Sequence, residues 1–80
     1  MRVELVTRQG CHLCEQAERL LRLAGTEFEL LDVDADLELL RLYDFRVPVV
    51  LVDGQIKAEG NLTDAALKRA LAGGSTFGEA

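Results

Sequence analysis

Cys11-His12-Leu13-Cys14 places two thiols and an imidazole within four positions of each other. These are the residues of the chain best suited to chemistry. Side chains three apart share one face of a helix. At the first turn of a helix, free N–H groups and the positive end of the dipole favour an anion. A Cys11 thiolate placed there is stabilised and reacts at neutral pH. Cys14 lies one turn deeper, close enough to form a disulfide with Cys11. The chemistry expected of such a pair is disulfide exchange.

Other roles for the pair are weaker. A structural disulfide across so short a loop gains only ~2 kcal/mol by loop entropy, and a reducing compartment would keep it open. A zinc site needs about four ligands, whereas the chain has two Cys and one His. A metal or cluster shared between chains, or a redox-sensing module built on the same thiols, stays open. Haem attachment needs His directly after the second Cys, and Glu15 stands there. Inert packing of two half-buried thiols is the remaining alternative.

Neighbouring residues carry smaller possibilities. His12 can tune the Cys11 thiolate when protonated, or hydrogen-bond in a surface loop. Arg8 is either a cation near that thiolate or a solvated loop charge. Glu15 reads better as an exposed first-turn carboxylate than as a proton carrier. Asp32-Val33-Asp34-Ala35-Asp36 resembles the start of a calcium loop. However, Leu37 replaces the turn glycine and Tyr43 the bidentate Glu, so a strand end followed by a helix cap is expected. The Leu-rich stretch Leu37 to Leu42 is expected in the core.

The surrounding pattern supplies the elements that must position the thiols. Arg2 to Thr7 reads as a strand and Arg8-Gln9-Gly10 as a loop. From Cys11 to about Ala24, Leu13, Ala17, Leu20, Leu21 and Ala24 fall at helical spacing, and Gly25 ends the helix. Glu27 to Val33 reads as a second strand. Asp34 or Asp36 caps a short helix through Leu37, Leu40 and Tyr43. Arg46-Val47-Pro48 leads into a third strand, Val49 to Val52. Asp53-Gly54 is a hairpin turn signal, so Gln55 to Ala58 pairs back as a fourth. Asn61 caps a last helix, Leu62 to Leu71. The expected fold is α/β, β-α-β-α-β-β-α. Its first two strands are parallel through a right-handed crossover, its last two form a hairpin, and helices cover both faces of a four-stranded mixed sheet. Residues 1–72 form one domain, and 73–80 are expected to be a flexible tail.

Composition narrows the partners. The chain has 80 residues, about half apolar at 49%, and a formal net charge of −5. Its nine basic residues are dispersed, which argues against nucleic acid, since phosphate binding needs a clustered Lys/Arg face. The longest apolar run, Val47 to Val52, is too short to cross a bilayer, so no membrane partner is expected. Met1-Arg2 passes straight into strand-like Val3-Glu4-Leu5-Val6 without a leader-like apolar stretch. The expected compartment is the cytoplasm and the expected state a monomer.

Thr7-Arg8-Gln9-Gly10-Cys11-His12-Leu13-Cys14-Glu15 resembles the start of the glutaredoxin-like proteins of the thioredoxin-fold superfamily, particularly a short branch with CHLC-type motifs. Val47-Pro48, the apolar strand after it and Asp53-Gly54 resemble the family's Val-Pro segment and hairpin. The resemblance extends to about Leu71. It implies that Cys11 is the nucleophile, Cys14 the resolving thiol and Pro48 a cis-proline beside them, with the Val47 backbone free to pair with an extended substrate. It implies a dithiol–disulfide oxidoreductase with no cofactor beyond the Cys11–Cys14 disulfide, partnered by a disulfide-containing protein and a reductase. Arg8, His12, Arg46, Val47 and Pro48 are the expected substrate-binding residues. Three features depart from true glutaredoxins. Arg46 replaces the usual Thr before Val-Pro, no aromatic stands inside the CxxC, and Lys57-Ala58-Glu59-Gly60-Asn61-Leu62 lacks the Gly-Gly and acidic pattern that holds glutathione. Weak glutathione binding is therefore expected.

Overall fold

Alternation in the first strand decides the architecture. In the computed structural model, which describes residues 1–76, β1 (Val3–Thr7) turns Val3 and Leu5 to one layer of the core and Val6 to the other. A strand that is apolar on both faces must be covered on both. The rest of the chain does this with α1 (His12–Leu23), β2 (Glu29–Asp32), α2 (Leu37–Tyr43), β3 (Val49–Val52), β4 (Gln55–Glu59) and α3 (Asp64–Thr76). The order β-α-β-α-β-β-α is the one the sequence pattern implies, with one 3-10 turn, Val33–Ala35, added before α2.

The strands lie in the order β2-β1-β3-β4. β1 and β2 are parallel, with Thr7 level with Asp32. β1 and β3 are antiparallel, with Val6 level with Val49. β3 and β4 form the expected antiparallel hairpin. Its Asp53-Gly54 turn has φ of 52° and 82°, the two positive values that match a tight turn to the twist of the strands. All four residues of β3 are buried, as befits a central strand. One core layer joins Val3, Leu5, Val50 and Val52 to Ala17 and Leu21 of α1 and Leu67 of α3. The other joins Val6, Val49 and Leu51 to Val33 and to Tyr43 of α2.

Local chemistry sets the ends of the elements. α1 stops where Gly25 N–H bonds to Arg22 O (3.0 Å) and Thr26 N–H to Leu21 O (3.2 Å), the paired bonds of a Schellman motif. β2 is shorter than the expected Glu27 to Val33. The Asp32 side chain accepts from Asp34 N–H at 2.9 Å and turns the chain out of the sheet. Asp36, one of the two expected caps, accepts from Glu38 N–H at 2.8 Å and Leu39 N–H at 3.3 Å and starts α2. In the Leu-rich stretch, Leu39 and Leu40 pack on the core, but Leu37 and Leu42 are exposed. A helix on the outside of a sheet can bury only one stripe.

The last helix is capped differently from the expectation. Thr63, not Asn61, caps α3: its Oγ1 accepts from Ala66 N–H at 3.0 Å and its carbonyl from Leu67 N–H at 3.0 Å. Leu62 is buried in the first core layer, so the chain cannot begin its helical turn until that side chain has entered. α3 then runs to Thr76 rather than Leu71. Residues 77–80 of the expected tail lie outside the described residues. No described helix is long and apolar enough to cross a membrane.

Candidate active site

The C-terminal end of β1 delivers the chain to the two thiols. Gly10 has φ +78°, a left-handed conformation that glycine adopts without strain, and it turns the loop into α1. Cys11 follows in extended conformation (φ −97°, ψ 112°) as the N-cap. Its Sγ accepts from Cys14 N–H at 3.2 Å, and its carbonyl accepts from Glu15 N–H at 3.0 Å. The thiol thus stands in the position usually held by a Ser or Asp side chain, with a free amide directed at the sulfur. An anionic sulfur there is matched by that donor and by the helix dipole.

Cys14 sits one turn deeper and is 1% exposed, whereas Cys11 remains partly accessible. Both are free thiols. Burial pushes the Cys14 thiol up, and its hydrogen bond with Cys11 adds to this; the Thr7 hydroxyl and the Arg8 backbone act in the opposite sense. The site therefore holds one reachable sulfur and one sheltered sulfur that resists ionisation.

The loop before β3 closes the other side. The Val47-Pro48 peptide bond is cis, as the resemblance implied. Pro48 is fully buried, and its carbonyl accepts from Gly60 N–H at 2.9 Å. The β1–β3 ladder ends at the Val6–Val49 pair, immediately after Pro48 in the chain. Gln16 donates through Nε2 to Leu62 O at 3.1 Å, which ties α1 to the segment leading into α3.

The charged residues expected at the site have other partners. Arg8 donates through Nε and Nη2 to the two Asp34 oxygens, both at 2.9 Å. The same guanidinium donates to Asp44 Oδ1 at 2.7 Å and Asp44 O at 3.1 Å. It therefore clamps the end of β1 to the 3-10 turn and to the end of α2. Arg46 makes a bidentate pair with Glu59, both bonds at 2.9 Å, and lies 5.6 Å from the Tyr43 ring centre. His12 projects into solvent, with Nδ1 3.8 Å from Glu15 Oε1. Of the residues singled out in the sequence, Cys11, Cys14 and Pro48 come to one end of the sheet, while Arg8 and Arg46 act as ties at its border. Thr7 was not singled out. Its signal was the alternation Val3, Leu5, Thr7, which carries its side chain to the α1 side of the sheet. Among the described residues no group of three or more His, Cys, Asp or Glu is arranged to hold a metal ion.

The model of the glutaredoxin-like domain family (DUF836) matches residues 2–72. The chain belongs to this family. Among solved structures, the protein XcR50 from X. campestris superposes with a TM-score of 0.79 at 29% identity, over 89% of this chain and 96% of its own. The thioredoxin-like protein BC3987 gives 0.69 at 26% identity, over 86% of this chain and 99% of its own. A single-residue variant of BC3987 gives 0.71 at 24% identity, over 88% and 99%. No curated protein matches. The glutaredoxin-like chain thus has a thioredoxin-like fold with two cysteines three residues apart at the start of its first helix. In this glutaredoxin-like domain both arginines near the thiols already face carboxylates of the chain itself.

Proposed function

We propose that this protein is a dithiol–disulfide oxidoreductase acting on protein disulfides, with Cys11 as nucleophile and Cys14 as resolving thiol. The observation that carries the proposal is the pairing of an accessible, amide-capped Cys11 sulfur with a buried Cys14 one turn behind it. Exchange begins with attack by the more accessible sulfur, while burial makes the Cys14 thiol hold its proton more tightly. The Cys11 thiolate attacks one sulfur of a substrate disulfide, and the other leaves as a thiolate that takes a proton from water. The Cys14 sulfur then attacks Cys11 Sγ and closes the intramolecular disulfide. The second substrate sulfur leaves with the proton that Cys14 gave up. Two electrons pass from the dithiol to the substrate, and an external thiol reductant must return them. A reducing compartment such as the cytoplasm supplies such reductants.

An extended protein segment suits the loop at Val47-Pro48 better than glutathione does. Glutathione carboxylates call for free cations and helix-start amides, while Arg8 and Arg46 are both engaged by Asp34, Asp44 and Glu59. Weak glutathione binding and poor activity in glutathione-coupled assays are expected, and tight calorimetric binding would contradict this.

Substitution of each thiol tests the assignment. Cys11→Ser abolishes disulfide reduction. Cys14→Ser accumulates a covalent adduct between Cys11 and the substrate, visible by intact-mass spectrometry. Faster alkylation of Cys14 than of Cys11 at neutral pH would reverse the roles. Full activity in both variants would remove the enzyme reading and leave a non-catalytic redox-sensing or metal-binding module.

A further inference from the structure

We infer that the Thr7 hydroxyl and the Arg8 backbone N–H form the receiving site for the Cys14 sulfur as an anion, which makes Thr7 a catalytic residue of the resolving step. The inference rests on the dithiol reading above and extends it to a residue outside the CxxC. Strand geometry places the group. Val3, Leu5 and Thr7 alternate to the same face of β1, and Val3 and Leu5 pack in the layer that holds Ala17 and Leu21 of α1. Cys14, Ala17 and Leu21 are the buried face of that helix. Cys14 therefore meets the last member of the strand series, as Ala17 and Leu21 meet the earlier ones. The Thr7 side chain and the Arg8 backbone are the two neighbours that favour the ionised Cys14 thiol.

The rest of the enclosure offers little else to a charge. No polar or charged side chain is buried among the described residues. Pro48, fully buried just before β3, has no N–H to donate. Arg8 is a cation, but its guanidinium is turned to Asp34 and Asp44. That clamp leaves its backbone N–H as its contribution to the sulfur. A hydroxyl has a proton to give, so Thr7 donates to the Cys14 anion.

In the resolving step the Cys14 S–H loses its proton, its sulfur forms a bond to Cys11 Sγ, and the bond from Cys11 to the substrate sulfur breaks. The departing substrate thiolate ends with the proton. In the reverse direction, an incoming thiolate attacks Cys11 and Cys14 leaves as an anion into the same pair of donors. Both directions pass through negative charge on a sulfur that is 1% exposed, where a missing donor is felt most.

The probe is dithiobis(nitrobenzoic acid), whose coloured thiolate appears in two phases. The first accompanies attack by Cys11 and the second accompanies displacement by Cys14. Thr7→Val preserves shape and removes the hydroxyl, and Thr7→Ser keeps the hydroxyl. Loss of a hydrogen bond to a charged group slows the second phase of Thr7→Val by about tenfold or more and leaves the first phase unchanged, while Thr7→Ser restores the second. Thr7→Ala serves the same purpose if the valine variant does not fold. An unchanged second phase in Thr7→Val overturns the inference, and so does equal slowing in the valine and serine variants. The wild-type trace tests the parent reading separately: without a second phase the dithiol mechanism itself fails.

Discussion

Arg8 shows how a side chain near reactive sulfur can serve it without touching it. Its guanidinium holds the Asp34 carboxyl below the usual carboxylate range through hydrogen bonding, and Arg46 does the same to Glu59. Both carboxylates therefore bind protons less readily in the folded chain than in the unfolded one. The stability they contribute is complete above the ordinary carboxylate range and is lost as pH falls through their lowered values. Cys14 works in the opposite sense. Burial raises it, so the folded chain holds that proton more tightly and loses stability as pH rises through the ordinary thiol range. Unfolding midpoints measured across pH should show a plateau with a decline on each side. Asp34→Asn should lie below wild type on the plateau and converge with it in acid, where the wild-type carboxylate is protonated. Its alkaline limb should run parallel to that of wild type. A constant offset between the two proteins through the acid limb would show that Asp34 is not the titrating group.

α1 begins on sulfur, and that choice couples the helix to the chemistry. Ser is a stronger N-cap than Ala, and its oxygen is a better acceptor than a thiol. Cys11→Ser should therefore keep the helix start and unfold in urea at or above the wild-type midpoint. Cys11→Ala, which lacks an acceptor, should be less stable than Cys11→Ser by about 0.5–2 kcal/mol. An alanine variant equal to the serine one would mean that the Cys11 side chain does not cap α1. Elements of this kind were legible in the sequence because their signals are local. The alternation in β1, the helical stripe of α1 (of which Ala17, Leu20 and Leu21 pack on the core while Leu13 and Ala24 are exposed), the Asp53-Gly54 turn and the CxxC spacing each lie within a few residues. What was not legible comes from distant parts of the chain. Asp34 and Asp44 stand 26 and 36 residues from the arginine they bind, so Arg8 read equally well as a cation for the thiolate. Asn61 is the stronger cap by residue type, and only the burial of Leu62 passes that role to Thr63. Thr7 looked like an ordinary strand end until α1 placed Cys14 beside it.

Two thin apolar layers hold the whole molecule, and they bear differently on the site. The layer between the sheet and α1 and α3 contains Leu5, Leu21 and Leu67, all fully buried, and Cys14 shares the buried face of α1 with Leu21. The α2 layer is built mainly from Val6, Val33, Val49, Leu51 and Tyr43 and supports the far side of the sheet. A chain of this length has a total stability of about 4–12 kcal/mol. Truncating a buried Leu costs about 2–5 kcal/mol, because the cavity only partly collapses. Leu21→Ala should therefore remove a large share of the stability. It should also let Cys14 reach solvent more often, so that alkylation of Cys14 accelerates along with the loss of stability. Leu37, at 80% exposure, provides the control: Leu37→Ala should change stability by no more than about 0.5 kcal/mol and leave Cys14 protected. Urea unfolding and timed alkylation of both variants check this. If Leu21→Ala unfolds like wild type, the first layer does not depend on that contact. If it is destabilised but Cys14 stays equally protected, shelter of the resolving thiol comes from the β1 and Pro48 side rather than from the packing of α1.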